Sequence, residues 1–257
     1  MDLSIVLYVV ILILFSFVPA IIYVRWFRNL EKYSPEPYTT IFQTFMWGAI
    51  LAIFFAAFIE YAIFNILTYE YELAEHIPFT TFIIAALIIA PLVEEFVKPL
   101  GIVFRARSQT DEVEDGMIYG AAAGLGFAAT ENLIYGTSAL VMDGLTTASL
   151  LIIVRTISST LLHASATAIT GYGIGLWLVR KRPFSTVLPY FAIAVILHSL
   201  FNAFAMMATA LGLIFAILTA LASTEFVKRK IMELDQRQAQ VELVRRIRSR
   251  EQQVNRL

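Results

Sequence analysis

The chain contains no cysteine among its 257 residues. Disulfide bonds, thiolate ligands for zinc and a cysteine nucleophile are therefore excluded. Histidine is scarce as well: His76, His163 and His198 are the three in the chain, and the last two lie inside apolar runs. Charged residues make up 15% of the sequence, against about 25% in a typical soluble domain. Carboxylates and two imidazoles within apolar segments are left as the main candidates for chemistry.

Apolar residues take the place of the missing polar ones. They form 59% of the chain, and the mean hydropathy is +0.74. Several runs reach the roughly 20 residues that a helix needs to cross a bilayer. We predict an all-α, polytopic membrane bundle of about seven transmembrane helices in the cell membrane. The predicted spans are residues 3–24, 39–67, 79–104, 116–136, 147–179, 187–206 and 208–224.

The distribution of basic residues predicts the orientation of this bundle. Lysine and arginine cluster after the first, third, fifth and seventh spans, and the loops after the second, fourth and sixth contain neither. Cytoplasmic loops carry the excess of basic residues in membrane proteins. We therefore expect the N-terminus outside the cell and the C-terminus in the cytoplasm.

The last segment, residues 225–257, is polar. It carries nine basic and five acidic residues, with apolar residues at three- and four-residue steps between Ile231 and Ile247. This pattern predicts a basic amphipathic helix that lies on the anionic inner leaflet. A short self-associating coil is the alternative, although the heptad pattern is irregular. No nucleic-acid partner is predicted.

The third span carries charge inside an apolar run. Residues 83–101 read IIAALIIAPLVEEFVKPLG, with Glu94, Glu95 and Lys98 at the core of the run. Each charge at such a depth costs about 2.5–3.5 kcal/mol on insertion scales. A Glu94–Lys98 pair, four residues apart, could simply hold two helices together. Because ionisable residues inside a membrane usually mark a functional site, we favour a site.

Three more spans carry polar residues at helical spacing. The positions are Glu131, Asn132 and Tyr135 on the fourth span, Arg155 and His163 on the fifth, and His198 and Asn202 on the sixth. Each spacing places the polar groups on one face of its helix. The arginine could merely neutralise the glutamate, and the asparagine and tyrosine of the fourth span could merely link helices. We expect instead that the four polar faces converge on one cavity.

The residue types in this set suit hydrolysis. A carboxylate that lies beside a like charge in a low-dielectric pocket has a raised proton affinity and can act as a general base. His198 and Asn202 are one helical turn apart and offer donors for a developing oxyanion. The chain has neither a Gly-x-Ser-x-Gly nor a His-Glu-x-x-His motif. Attack by a glutamate-activated water is therefore the predicted chemistry.

These motifs together resemble the PrsW family of membrane proteases. They are Glu94-Glu95-x-x-Lys98, Phe127-x-x-x-Glu131-Asn132-x-x-Tyr135, Arg155 with His163, and His198-x-x-x-Asn202. The resemblance covers residues 83–202, and the family looks related to the CAAX-type and bacteriocin-processing (CPBP) glutamic endopeptidases. It implies a glutamate-dependent intramembrane endopeptidase, with Glu94 as the base, Glu95 as its partner and His198 with Asn202 as the oxyanion pair.

Two positions depart from the pattern of the larger group. This chain has Glu131 where that group carries histidine, and Lys98 where it carries arginine one residue later. His163 is the candidate for the missing imidazole. The resemblance further implies that the substrate is a single-pass membrane protein, as in site-1 cleavage of an anti-sigma factor. We expect Lys98, Asn132, Tyr135 and Arg155 to support the catalytic residues.

Two other functions fit the same residues. In a seven-helix zinc hydrolase acting on lipid amides, His163 and His198 would bind the metal together with Glu94 or Glu131. In a proton-coupled carrier, the same groups would relay protons. We predict no cofactor, with zinc as the alternative. A rise of about 1.5 Å per residue puts Glu94 in the cytoplasmic half and Glu131 nearer the outside, so their convergence requires helix tilt or a break at Pro91.

Overall fold

In the computed structural model, residues 3–72 and 78–254 are described, so His76 lies outside the described part. Within these ranges the chain forms nine α-helices and no strand, which confirms the all-helical prediction. The helices are α1 (Leu3–Arg28), α2 (Tyr38–Met46), α3 (Ile53–Glu72), α4 (Phe79–Ile84), α5 (Ala90–Val97), α6 (Val113–Ile157), α7 (Ser159–Leu178), α8 (Val187–Met206) and α9 (Ala210–Val254). The π-helical segments Trp47–Ala52 and Ala85–Ile89 join α2 to α3 and α4 to α5.

Six helical segments of the described chain are long and apolar enough to cross a membrane. They are Val6–Arg28, Tyr38–Tyr69, Phe79–Ala106, Val113–Leu178, Phe184–Met206 and Ala210–Ser249. Large apolar side chains cover their outer surfaces; Phe58, for example, is 66% exposed and Ile66 is 76% exposed. Such a surface matches lipid as the surrounding solvent. The multi-pass membrane fold is confirmed, and the orientation of the termini stays a prediction.

The longest of these segments folds back on itself at Gly144. This glycine has a φ of +86°, in the left-handed region that glycine adopts without a Cβ penalty. The two arms then run antiparallel, and Gly116 faces Gly171 while Gly124 faces His163 so closely that a Cβ would collide with the opposite backbone. The two arms correspond to the predicted spans 116–136 and 147–179. This fold-back supports seven crossings, a number that stays a prediction.

The helix of the second arm is interrupted at Ser158. Its backbone angles, φ −106° and ψ −81°, are not helical, and they separate α6 from α7. Arg155 precedes this break and His163 follows it. The predicted span 147–179 is therefore two helical pieces, and the break lies between two of the predicted site residues.

The final helix is continuous across the predicted tail boundary. We expected a separate segment from residue 225, whereas α9 runs from Ala210 to Val254. Val227 and Ile231 are fully buried, and Asp235 accepts hydrogen bonds from the backbone N–H groups of Lys32 and Tyr33, both at 3.1 Å. The first part of the tail thus packs on the protein, while Val241 further on is 46% exposed. Contact of the tail with the anionic leaflet stays a prediction.

A second group of buried acids lies outside the predicted site. Glu31 and Glu36 stand in the connection between α1 and α2, and Asp115 stands in the first turn of α6. All three are at least 95% buried. Burial, followed by the charge of Asp115, raises the pKa of Glu31 to about 9 and the pKa of Glu36 to about 10. Nothing in the sequence indicated that these residues meet.

Candidate active site

Helix α5 and the residue that follows it place three charged groups on one buried face. The Lys98 ammonium lies 2.9 Å from Glu94 Oε2 and 2.9 Å from Glu95 Oε1. Lys98 and Glu95 are completely buried, and Glu94 is 6% exposed. Pro99 has no backbone N–H, so the α-helix ends here and Lys98 sits at its C-terminal cap. The Glu94–Lys98 pair exists, but it is part of a larger cluster.

Helix α7 brings His163 to the other side of the ammonium. Its Nδ1 lies 2.7 Å from Lys98 Nζ, and its Nε2 lies 2.9 Å from Glu131 Oε2. An ammonium group can only donate a hydrogen bond, so we assign Nδ1 as the acceptor. Nε2 then carries the proton and donates to Glu131. This pattern is that of a neutral imidazole between a lysine and a carboxylate.

Helix α8 contributes His198, which contacts the second glutamate. His198 Nδ1 donates to Glu95 Oε1 at 3.0 Å, and its Nε2 lies 4.0 Å from Glu94 Oε2. The rings of His163 and His198 meet edge to face, with centroids 4.9 Å apart. The two imidazoles therefore both border Glu94, one from α7 and the other from α8.

The two adjacent glutamates have different surroundings. Glu95 accepts hydrogen bonds from Lys98, from His198 and from Thr167 Oγ1 at 3.2 Å, so both of its oxygens are engaged. Glu94 Oε2 is buried and lies 2.9 Å from the Lys98 ammonium. Glu95 is thus held by three partners, whereas the close contact of Glu94 Oε2 is with Lys98.

Arg155 and its partners border the cluster from the α6 side. Arg155 Nη2 lies 2.6 Å from Glu131 Oε2, and Nε donates to Asn132 Oδ1 at 2.8 Å. The guanidinium carbon lies 4.0 Å from the centre of the Tyr135 ring. Asn132 Nδ2 donates to Thr160 Oγ1 at 2.8 Å. All four of the residues predicted to support the site, Lys98 included, therefore lie in or beside the cluster.

Asn202 holds a backbone group that the π-helical segment leaves free. Within Ala85–Ile89, the N–H of Ala90 bonds to Ala85 O instead of Ala86 O. In the π-helical register the donor for Ala86 O would be Pro91, which has no N–H. Asn202 Nδ2 donates to Ala86 O at 2.9 Å and satisfies it. One amide hydrogen is thereby engaged, and the second remains for another acceptor.

A cavity of about 510 Å³ opens beside the cluster. Its lining includes Glu94, Glu131, His163, Arg155 and Asn202, whereas Glu95, Lys98 and His198 stand behind that lining. The structure thus brings all ten predicted site residues together, despite the different depths expected from the sequence. The fourth span supplies Tyr135 to the same lining.

Sequence reasoning missed two residues of this region. Glu60 lines the cavity, and its Oε1 is buried without a hydrogen-bond partner. Glu60 lies near the end of the second predicted span, where a carboxylate is itself a signal of function. Thr167 lies four residues after His163, and nothing in its position indicated a bond to Glu95.

The residues of the cluster also fit a metal ion in type and spacing. Donor atoms of Glu94, His163 and His198 all lie within 4.8 Å of one another. Two histidines and a glutamate form one of the common ligand sets of catalytic zinc. Glu94 Oε2 and His163 Nδ1 both contact the Lys98 ammonium, at 2.9 and 2.7 Å. Zinc would therefore have to displace the lysine from two of the three donor residues.

Comparison with known proteins relates the chain to a family of membrane proteases. Residues 36–227 match the family described as "PrsW family intramembrane metalloprotease". The chain is 29% identical over 181 residues to "Protease PrsW" of Geobacillus kaustophilus (strain HTA426), covering 67% of this chain and 72% of that protein. It is 28% identical over 127 residues to "Protease PrsW" of Clostridioides difficile (strain 630), covering 48% of this chain and 50% of that protein.

No solved structure matches the chain. The relationship to the CPBP endopeptidases stays a prediction, since neither relative bears on it. The family match extends over the second to the seventh predicted spans and includes every residue of the cluster. The chain belongs to the PrsW family of intramembrane proteases.

Proposed function

We propose that this protease cleaves membrane proteins in the cavity beside Glu94, and that Glu94 is the residue that activates the attacking water. One observation carries the assignment. Of the two adjacent glutamates, Glu94 lines the cavity and contacts Lys98, whereas Glu95 stands behind the lining with both oxygens hydrogen-bonded. A base must border the space that water and substrate enter, and Glu94 is the member of the pair that does so.

The reaction then follows from the groups on the cavity wall. The Glu94 carboxylate takes a proton from water as the oxygen attacks the peptide carbonyl carbon, and the carbonyl oxygen becomes an oxyanion. Collapse of this intermediate breaks the C–N bond, and the proton on Glu94 passes to the leaving amine. The second amide hydrogen of Asn202 and the Arg155 guanidinium line the same cavity and are the donors for the oxyanion.

The cluster behind the wall positions Glu94 and balances its charge. Lys98 contacts both glutamates, and His198 and Thr167 fix Glu95. These groups are preorganised by the protein, so they need no rearrangement when charge develops. We propose a single-pass membrane protein, such as an anti-sigma factor, as the substrate, and the anionic inner leaflet as the surface that the basic tail contacts.

Zinc is the second candidate for activating the water. The family description includes the word "metalloprotease", and Glu94, His163 and His198 would hold the ion. Bound zinc would lower the pKa of its water and polarise the carbonyl. In this case Lys98 would have to release His163 Nδ1, while Glu95 would still orient His198 through its Nδ1–H.

One experiment tests the proposal and separates the two candidates. The purified chain is incubated with a fluorogenic peptide built on a single transmembrane segment, and new termini are identified by mass spectrometry. We expect Glu94→Gln to lower kcat by at least about 100-fold, because a general base contributes roughly 10²–10⁴. Asp143→Asn, an exposed carboxylate near the turn at Gly144, is the matched control and should keep full activity.

The same assay is run with a zinc chelator and after zinc is added back. Cleavage that survives chelation supports the metal-free mechanism. Chelator inhibition that zinc reverses would replace it with the zinc mechanism and make Glu94 a ligand. Full activity of Glu94→Gln would contradict both assignments.

A further inference from the structure

The buried acids Glu31, Glu36 and Asp115 form a cluster that the protease chemistry does not use. Each offers one carboxylate oxygen, and these three oxygens lie within 4.8 Å of one another. Glu36 also accepts a hydrogen bond from Tyr119 Oη, a short contact on the same side. The cluster joins the α1–α2 connection to the N-terminal turn of α6, and none of its members belongs to the cluster around Glu94.

Two oxygens of this cluster have no partner. Glu31 is 2% exposed and Asp115 is 0% exposed, yet Glu31 Oε1 and Asp115 Oδ1 accept no hydrogen bond. Their other oxygens are engaged: Glu31 Oε2 with the N–H of Glu36, and Asp115 Oδ2 with the N–H groups at 111 and 112. A buried acceptor without a donor is costly, and it indicates a group that binds there.

Positive side chains do not compensate the three carboxylates. Among the side chains that the structure describes, no lysine or arginine nitrogen lies within 4.0 Å of a carboxylate oxygen of this cluster. Arg28 is close, but its Nε donates to the backbone oxygen of Glu36 at 2.6 Å. Uncompensated buried charge is strongly unfavourable. A cation or bound protons must therefore balance the cluster.

We propose that Glu31, Glu36 and Asp115 bind a hard divalent cation, Ca²⁺ or Mg²⁺. These ions take oxygen ligands, at about 2.3–2.6 Å for Ca²⁺ and about 2.0–2.1 Å for Mg²⁺. Two ligands of one Ca²⁺ are at most about 4.6–5.2 Å apart, and the three carboxylate oxygens lie close enough together to share one ion. The donor set contains no nitrogen or sulfur, so it disfavours zinc.

The cation would fasten elements that hold the protease site. Asp115 begins α6, the helix that carries Glu131, and Glu31 adjoins Lys32, whose backbone N–H bonds to Asp235 of α9. By the predicted orientation, this region faces the cytoplasm. The bound ion would therefore stabilise the packing of α1, α6 and α9.

The test measures cation binding to the whole chain in nanodiscs of uncharged phosphatidylcholine. Thermal unfolding is followed in a chelator, then in Ca²⁺ and in Mg²⁺, and Mn²⁺ serves as the paramagnetic probe of site occupancy. At a concentration 100-fold above Kd, we expect a rise in Tm of roughly 5–10 °C. Glu31→Gln should abolish both the rise and the tight Mn²⁺ signal.

Glu114→Gln is the matched control, because Glu114 is 1% exposed, has an unpartnered Oε1 and adjoins Asp115 without belonging to the trio. It should retain the rise, as should Glu94→Gln, which separates this site from the protease. In the chelator we expect Glu31→Gln to be at least as stable as wild type, since one like charge is removed. A Tm that neither cation changes would overturn the proposal in favour of bound protons, and an equal rise in Glu31→Gln would overturn it by showing that the cation binds elsewhere.

Discussion

Lys98 is the cation that contacts both Glu94 and Glu95 in the candidate active site, so its replacement tests this geometry most directly. Lys98→Met keeps the length of the side chain and removes the charge between Glu94 and Glu95. At an effective dielectric constant of about 20, two unit charges at a separation of 2.9 Å attract each other by roughly 6 kcal/mol. The variant loses two such attractions, but it no longer pays the cost of removing the ammonium from water. Removal of one member of a buried ion pair lowers the free energy of unfolding by about 3–5 kcal/mol, and we expect a loss of this size here.

The second variant makes this expectation specific. In Lys98→Met with Glu95→Gln, the trio of residues 94, 95 and 98 returns to the net charge of −1 that it has in wild type. We therefore expect the double variant to regain at least half of the lost free energy of unfolding. Lys228→Met is the control: Lys228 pairs with Glu225 at 3.0 Å in an exposed position, where solvent screens the pair and its loss should barely change stability.

Unfolding is measured in mixed micelles of increasing sodium dodecyl sulfate content, by the fluorescence of the three tryptophans. A loss of less than about 1 kcal/mol in Lys98→Met would show that the ammonium does not balance the glutamates, since a buried pair costs more. A double variant as unstable as the single one would refute the pairing with Glu95.

Three further predictions use the same preparations. Arg155→Met or Glu131→Gln alone should lower the free energy of unfolding by about 3–5 kcal/mol, because the 2.6 Å pair is largely buried. The double variant should recover part of this loss. A denaturation curve without any recovery would exclude the pair. Asn202→Ala should lower kcat by about 10²–10³ with KM unchanged if Asn202 binds the oxyanion. If stability and activity fall together, the role of Asn202 is to hold Ala86 O. Gly124→Ala should destabilise the bundle by about 1–3 kcal/mol and lower peptidase activity, because the added Cβ would collide with His163 O. Unchanged thermal unfolding and activity would show that α6 and α7 can move apart without cost.

The sequence predicted the helices better than their breaks. Hydropathy located the membrane segments, and Val187–Met206 matches the predicted sixth span to the residue. The interruption at Ser158 was not predicted, because a serine inside an apolar run has no distinctive backbone signature. The extent of α9 was misjudged for a different reason. A change from apolar to basic composition marks a change of solvent, and a helix can continue across it, as α9 does at residue 225.

The predicted site residues could be found because charge in a span is rare and costly. Their partners could not. The bond between His198 and Glu95 joins positions 103 residues apart, and the Glu36–Tyr119 contact joins positions 83 apart. Helical spacing shows which side chains share a face, but it carries no information on which faces meet. The acidic cluster was missed for this reason, since Glu31 and Glu36 lie in a connection where acids are common.

The contacts of His163 explain how residues expected at different depths share one site. One ring nitrogen faces Lys98 and the other faces Glu131, at 2.7 and 2.9 Å. Glu131 in turn reaches Arg155, so the charged groups of α5 and α6 form one connected network through the imidazole of α7. Glu95 and Glu131 are hydrogen-bonded within this network, whereas Glu94 contacts Lys98 and lines the cavity. The network therefore fixes the groups around the glutamate that we propose as the base.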